Sequence, residues 1–225
     1  MKGVIFTELM EMVEDKFPME IVDQVLEESD LPSGGVYTSL GTYDYKEVLE
    51  LVTNLSNVSG IPIVDLVYTF GHHLFGRFAH LYPQFFEDTQ GVFEFLQNIE
   101  KYIHVEVRKL YSDAQLPTFD YDTSDPNQLV MTYRSERPFA VLAKGLIDGC
   151  VEYFNENLTV EMVDLSDGAG TSAQFTLTKR AGSPRKKDRC KTVKRRLRRR
   201  PRNPRALFAR GQNPCSDQTS QPSRS

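Results

Sequence analysis

The chain of 225 residues carries 27 Lys and Arg against 31 Asp and Glu, and the resulting net charge of −4 averages two unlike parts. Residues 1–178 hold 10 basic and 29 acidic side chains (−19), whereas residues 179–225 hold 17 basic and 2 acidic ones (+15). The acidic body is long enough for one globular domain with a sizeable core; at 40% hydrophobic content the chain is no disordered polyanion, and no run approaches the roughly 18–20 apolar residues that span a bilayer. The N-terminus lacks a signal-peptide core, so the expectation is a soluble, cytoplasmic protein.

In chain order, Val4, Phe6, Leu9, Met10, Val13 and Phe17 recur at helical spacing until Pro18 ends the run. A short helix follows through Ile21, Val22, Val25 and Leu26, broken by the Pro-Ser-Gly-Gly at 32–35. Residues 43–55 repeat the pattern, and residues 63–82 do so with more Phe, Leu and Tyr. Gly71 and Gly76 inside that run each cost a helix about 1 kcal/mol against alanine, and close packing is one reason to keep them. Residues 92–111 read as one further helix with Val92, Leu96, Ile99, Ile103, Val107 and Leu110 as its apolar stripe. After Pro117 the period changes: 118–122 and 129–137 read as strands around Ser-Asp-Pro-Asn, 138–155 as a helix with Pro138 in its first turn, and 158–165 and 173–178 as two last strands. Helices followed by a small antiparallel sheet with one long helix across it is an α+β plan without internal repeats.

Two features carry chemistry. His104 lies beside the apolar stripe of its helix and can point into the core, either as a packed histidine bonded to a carbonyl or as an axial ligand to a heme iron. His72, His73 and His80 compete for that role, each read more simply as an exposed or capping residue, and no His-x-x-x-His pair supports two-histidine zinc chemistry. In Tyr133-Arg134-Ser135-Glu136-Arg137, strand alternation would place Tyr133, Ser135 and Arg137 on one face. Two hydroxyls and a guanidinium along about 13 Å of strand suit a ligand with two carboxylates; the alternative is a solvated polar strand end. The three cysteines Cys150, Cys190 and Cys215 are too few and too scattered for a disulfide framework or a cysteine zinc site.

Taken together, Met1 to Phe6, the run Ile103-His104-Val105-Glu106-Val107-Arg108-Lys109-Leu110-Tyr111, the following Leu116-Pro117, the Tyr-x-Ser-x-Arg motif and Gly145-Leu146-Ile147-Asp148-Gly149 resemble the H-NOX family of heme nitric oxide/oxygen binding domains, related to the heme domain of soluble guanylate cyclase. The resemblance covers residues 1–178 and implies a helical lobe at about 1–60 and a heme-ligating lobe at about 61–178, with heme b between them. It implies His104 as the proximal iron ligand, Tyr133, Ser135 and Arg137 as partners of the heme propionates, and Pro117 as a residue that presses on the porphyrin and bends it. Where oxygen-binding members carry a tyrosine on the helix after the motif, this sequence has Leu142, with Leu9 and Leu74 at the neighbouring distal positions. Bound dioxygen needs a hydrogen-bond donor and nitric oxide does not, so the expectation is selectivity for nitric oxide, with carbon monoxide also bindable. The cysteine- and histidine-rich zinc cluster of some relatives is absent, since 164–174 contains neither residue.

The resemblance further implies a sensor rather than an enzyme: nitric oxide weakens the trans iron–His104 bond, the porphyrin relaxes and the lobes shift. With no kinase or cyclase module in the sequence, the output is expected from another chain, either a histidine kinase or a cyclic-di-GMP enzyme such as a diguanylate cyclase or phosphodiesterase. From residue 181 onward Pro, Arg, Ser and Gln dominate and periodicity vanishes, which predicts a disordered basic tail. It reads as a polyanion-binding arm for nucleic acid or a membrane surface, as an arm folding back on the body or a partner, or as an extended or frameshifted end without selected function. Two rival readings of the whole chain therefore stand beside the sensor: a polyanion-binding interaction protein and a heme enzyme.

Overall fold

The computed structural model describes residues 1–180; the basic run on which the tail readings rest lies outside the described residues. Four helices come first: α1 (Gly3–Lys16), α2 (Met19–Glu28), α3 (Tyr45–Ser59) and α4 (Ile63–Leu81). Their limits follow local chemistry. Pro18 and Pro62 stand immediately before α2 and α4, the Asp44 side chain accepts the Lys46 N–H at 3.0 Å to open α3, and Gly60 closes it at φ 72, a left-handed conformation natural to glycine. The periodic apolar residues face one another: Phe6, Leu9, Met12 and Val13 of α1 pack with Val22 and Val25 of α2, Val48, Leu51, Val52 and Leu55 of α3, and Leu66, Phe70 and Leu74 of α4.

The stretch read as one helix over 92–111 is three pieces. Helix α5 (Val92–Gln97) passes into a π turn at Ile99–Ile103, and α6 (His104–Leu110) follows. The His104 N–H reaches back five residues to the Ile99 carbonyl, so the turn holds one residue more than an α-turn. This decides where His104 points. At about 100° per residue an unbroken helix would put it some 80° from Leu96 and opposite Phe95, two of the buried residues of α5. The extra residue takes back about 100°, bringing His104 within about 20° of Leu96.

Strands β1 (Thr118–Asp122), β2 (Gln128–Arg134), β3 (Leu158–Asp164) and β4 (Ser172–Lys179) form an antiparallel sheet in the order β1-β2-β4-β3. Two limits differ from the sequence reading. β2 ends at Arg134 instead of residue 137: the Ser135 N–H still bonds the Thr171 carbonyl at 2.8 Å, in step with the β2–β4 register, and the chain bends at 136–138. Helix α7 (Ala140–Phe154) starts two residues later than expected, leaving Pro138 outside it. The sheet's inner residues Leu129, Met131, Tyr133, Ala173, Phe175 and Leu177 form a second core with Phe119, Ala140, Ala143, Ile147 and Cys150.

Both cores draw on α4 and α7, since Leu74 and Leu142 belong to the helical one while Phe75 and Ala143 belong to the sheet one. These two helices cross on glycine. A Cβ on Gly71 would come 2.2 Å from the Leu142 carbonyl oxygen, and one on Gly145 would come 2.2 Å from the Tyr68 carbonyl oxygen. Close packing thus explains Gly71. Among the described residues Gly76 has no atom within 4 Å of such a Cβ, and nothing in the structure explains it.

Candidate heme site

His104 is 7% exposed, and its Nδ1 is buried without a hydrogen-bond partner among the described residues. A packed histidine bonded to a carbonyl would satisfy that nitrogen, and this one does not. Burial, reinforced by the Arg108 charge, pushes the imidazole pKa down to about 4, so the ring is neutral at physiological pH. A neutral imidazole with a lone pair available is the form that binds iron.

The other histidines are placed differently. His72 pairs with Glu152 at 2.8 Å on the surface, and His80 is exposed. His73 also buries an Nε2 without a partner among the described residues, but the residue is only half-buried, and its surroundings include the Glu8 and Arg77 charges that link α1 to α4.

The His104 ring lies 6.0 Å from the Phe119 ring, which lies 5.8 Å from the Tyr133 ring. Phe119 and Tyr133 are cross-strand partners, so the sheet register joins the imidazole to the start of the Tyr-x-Ser-x-Arg motif. Tyr133 is 3% exposed and faces the core. The Ser135 side chain still reaches the Tyr133 hydroxyl, but the bend at 136–138 takes Arg137 off the strand, so the three do not form one straight 13 Å strand face. The bend instead gathers the three. Burial raises the Tyr133 phenol pKa, while the Ser135 side chain, the Phe139 backbone and the Arg137 charge act in the opposite sense. The Ser135 Oγ accepts the Arg137 backbone N–H at 3.0 Å.

The Arg137 guanidinium donates to the Gln115 side-chain oxygen at 2.7 Å and lies 5.7 Å from the centre of the Tyr45 ring. Among the described residues it makes no ion pair with a carboxylate, so its charge is available to an anionic ligand. Pro117 is half-buried between Gln115 and Phe119, at the entrance to β1.

Leu9, Leu74 and Leu142, read from three separate helices, meet in the helical core at 1%, 1% and 9% exposure, alongside Phe70 and Phe139. None of these five side chains carries a hydrogen-bond donor. Cys150 is fully buried on α7, and burial raises its thiol pKa well above the ordinary value. It is a packing residue without thiolate character.

Sequence reasoning missed Phe119, Gln115 and Glu100. Phe119 sits in a strand whose alternation signals an inward aromatic, so it was legible in part. Gln115 and Glu100 act through contacts formed only on folding. Glu100, in the π turn, accepts the Phe119 N–H at 3.0 Å.

The haem-NO-binding family model matches residues 2–162. The chain belongs to this family, known as H-NOX, whose cofactor is heme. The Fe(II) unliganded H-NOX protein from K. algicida is 40% identical, with a TM-score of 0.76, covering 81% of this chain and 98% of that one. The H-NOX from Shewanella woodyi in the Fe(II)CO state is 42% identical, with a TM-score of 0.70 and coverages of 80% and 95%. An H-NOX protein from S. oneidensis in the Fe(II)NO state is 26% identical, with a TM-score of 0.72 and coverages of 79% and 98%. No curated protein matches the chain. H-NOX domains are heme-based gas sensors, and the helices-then-sheet plan expected from the sequence is the family fold. Among the described residues no helix is long and apolar enough to cross a membrane.

Proposed function

We propose that this H-NOX protein is a cytoplasmic nitric oxide sensor, not an enzyme, with His104 as the proximal ligand of a ferrous heme. The observation that carries the assignment is the buried, neutral His104 whose Nδ1 has no partner among the described residues. The hydroxyls of Tyr133 and Ser135 and the Arg137 guanidinium would hold the propionates, Arg137 exchanging its bond to Gln115 for a charge-assisted one. Pro117, fixed at the entrance to β1, would press on the macrocycle. Bound ferrous heme would supply an iron able to bind a diatomic ligand.

The chain's own part is to hold that ligand in an apolar wall and to register the release of the imidazole. Leu9, Leu74 and Leu142 offer no donor, which supports binding of nitric oxide and carbon monoxide without a stable oxygen complex. Release of His104 would free α6. The segment just after α6 is tied to the start of α1, because Lys2 Nζ donates to Asp113 at 2.6 Å and to Thr42 at 2.7 Å. Movement of α6 can therefore be passed to the helical lobe (about 1–60) from the heme-ligating lobe (about 61–178), and a separate protein, a histidine kinase or a diguanylate cyclase or phosphodiesterase, would read the change.

Anaerobic absorbance of the ferrous protein tests this reading. A five-coordinate histidyl spectrum that changes with nitric oxide and is indifferent to air is expected. His104→Gly should make normal heme binding depend on added imidazole. A stable oxygen complex in air would refute the selectivity, and an unchanged His104→Gly spectrum would refute the ligand.

A further inference from the structure

The π turn before His104 is held from outside its own helix. Glu100, its second residue, reaches across to β1 and accepts the Phe119 N–H at 3.0 Å, and the Tyr121 hydroxyl donates to the Leu96 carbonyl at 2.8 Å just before the turn. Among the described residues β1 is an edge of the sheet, paired only with β2, so the Phe119 N–H faces away from the ladder and Glu100 stands where a further strand would accept it. The same Phe119 lies against the His104 ring. A π turn gives poorer backbone geometry than an α-turn and persists where the surroundings favour it. Without it, His104 would swing by about 100° off the buried face.

We infer that Glu100 is the positioning residue of the proximal ligand: its bond to the β1 edge pins the π turn in register with Phe119 and so fixes the direction from which His104 meets the iron. This rests on His104 being that ligand. The Glu100 carboxylate accepts the Phe119 N–H and acts through the turn. What it needs is an acceptor oxygen at the reach of a glutamate, so reach matters and charge does not.

Two substitutions separate these properties. Glu100→Gln keeps the reach and an acceptor while removing the charge; Glu100→Asp keeps the charge and shortens the arm by one methylene. The probe is the iron–histidine stretching band of the heme-loaded, ferrous, ligand-free full chain by resonance Raman. Positioning by reach predicts a band at the wild-type place and width in Glu100→Gln, and a shifted, broadened band in Glu100→Asp and Glu100→Ala. A larger five-coordinate fraction of the nitric oxide complex should accompany the latter. If Glu100→Asp matches wild type while Glu100→Gln shifts, the effect is one of charge and the inference is wrong. If all three leave the band unmoved and only lower the melting temperature, Glu100 is merely structural and the inference is again wrong. His104→Gly is run alongside. Were it to keep the wild-type heme spectrum, the ligand assignment itself would fall, an outcome separable from any behaviour of Glu100.

Discussion

Replacing Gly145 with alanine should destabilise the protein even though alanine is the better helix former. The added Cβ would lie 2.2 Å from the Tyr68 carbonyl oxygen, 2.8 Å from the His72 nitrogen and 3.0 Å from the Gly71 Cα, all backbone atoms that cannot swing aside. Ordinary contact begins near 3.4 Å, so α4 and α7 must part by about 1 Å, a gap that forfeits a quarter to a half of each dispersion contact along the seam. Overpacking of this kind costs about 3 kcal/mol at the upper end, and alanine's helix propensity returns about 1 kcal/mol, leaving a net loss of about 2 kcal/mol. For a folded body of this size that lowers the melting temperature by about 4–8 °C.

Gly76→Ala on the same α4 is the internal control. No atom of the described residues lies within 4 Å of the added Cβ, so propensity acts alone and the melting temperature should rise by about 2–4 °C. Far-UV circular dichroism melts of the two variants and the parent provide the comparison. Shifts of the same sign would refute the crossing geometry, as would a Gly145→Ala variant as stable as the parent.

The Glu8–Arg77 pair between α1 and α4 predicts an asymmetry, because the Glu8 side chain is 5% exposed and that of Arg77 34%. Arg77→Ala strands a buried carboxylate and should cost about 3–5 kcal/mol, whereas Glu8→Gln leaves Arg77 with Glu11 and water and should cost about 1 kcal/mol; denaturant midpoints would show the order. Cys150, buried with its thiol pKa raised, should resist alkylation at pH 8 in a chain with Cys190→Ser and Cys215→Ser, and react once unfolded; rapid native labelling would contradict the placement. Deleting the exposed Lys101 removes the extra residue of the π turn and should leave a continuous helix with His104 still on the buried face. Heme uptake with a histidyl spectrum is then expected, and loss of that spectrum would show that the rotation argument fails.

Much of this protein was legible because local rules govern it. Prolines 18 and 62 and Gly60 set helix limits, apolar spacing marked the faces of α1, α3 and α4, and the change of period after Pro117 announced the sheet. The reading of residues 92–111 as one helix was misled by a stripe that looks continuous at helical spacing. A π turn adds one residue without breaking that stripe visibly, and its stabilising contact, Glu100 with the Phe119 N–H, joins two segments that meet only after folding. The Tyr-x-Ser-x-Arg motif was likewise read as a straight strand face. The pairing of Ser135 with Thr171, 36 residues further on, is the last step before the chain bends at 136–138, and no local period encodes where that pairing stops.

The sequence by itself determined the class of elements, their order, the family and the residue types of the candidate site, since propensity, punctuation and a spaced motif are properties of neighbours along the chain. The tertiary structure decided where those residues point. His104 faces the core because a turn held by the edge of β1 rotates it there. Tyr133, Ser135 and Arg137 converge because β2 stops short, and Leu9, Leu74 and Leu142 share one wall because glycine lets α4 and α7 approach closely. Each of these depends on contacts between distant segments, and their geometry is fixed when the packed surfaces meet.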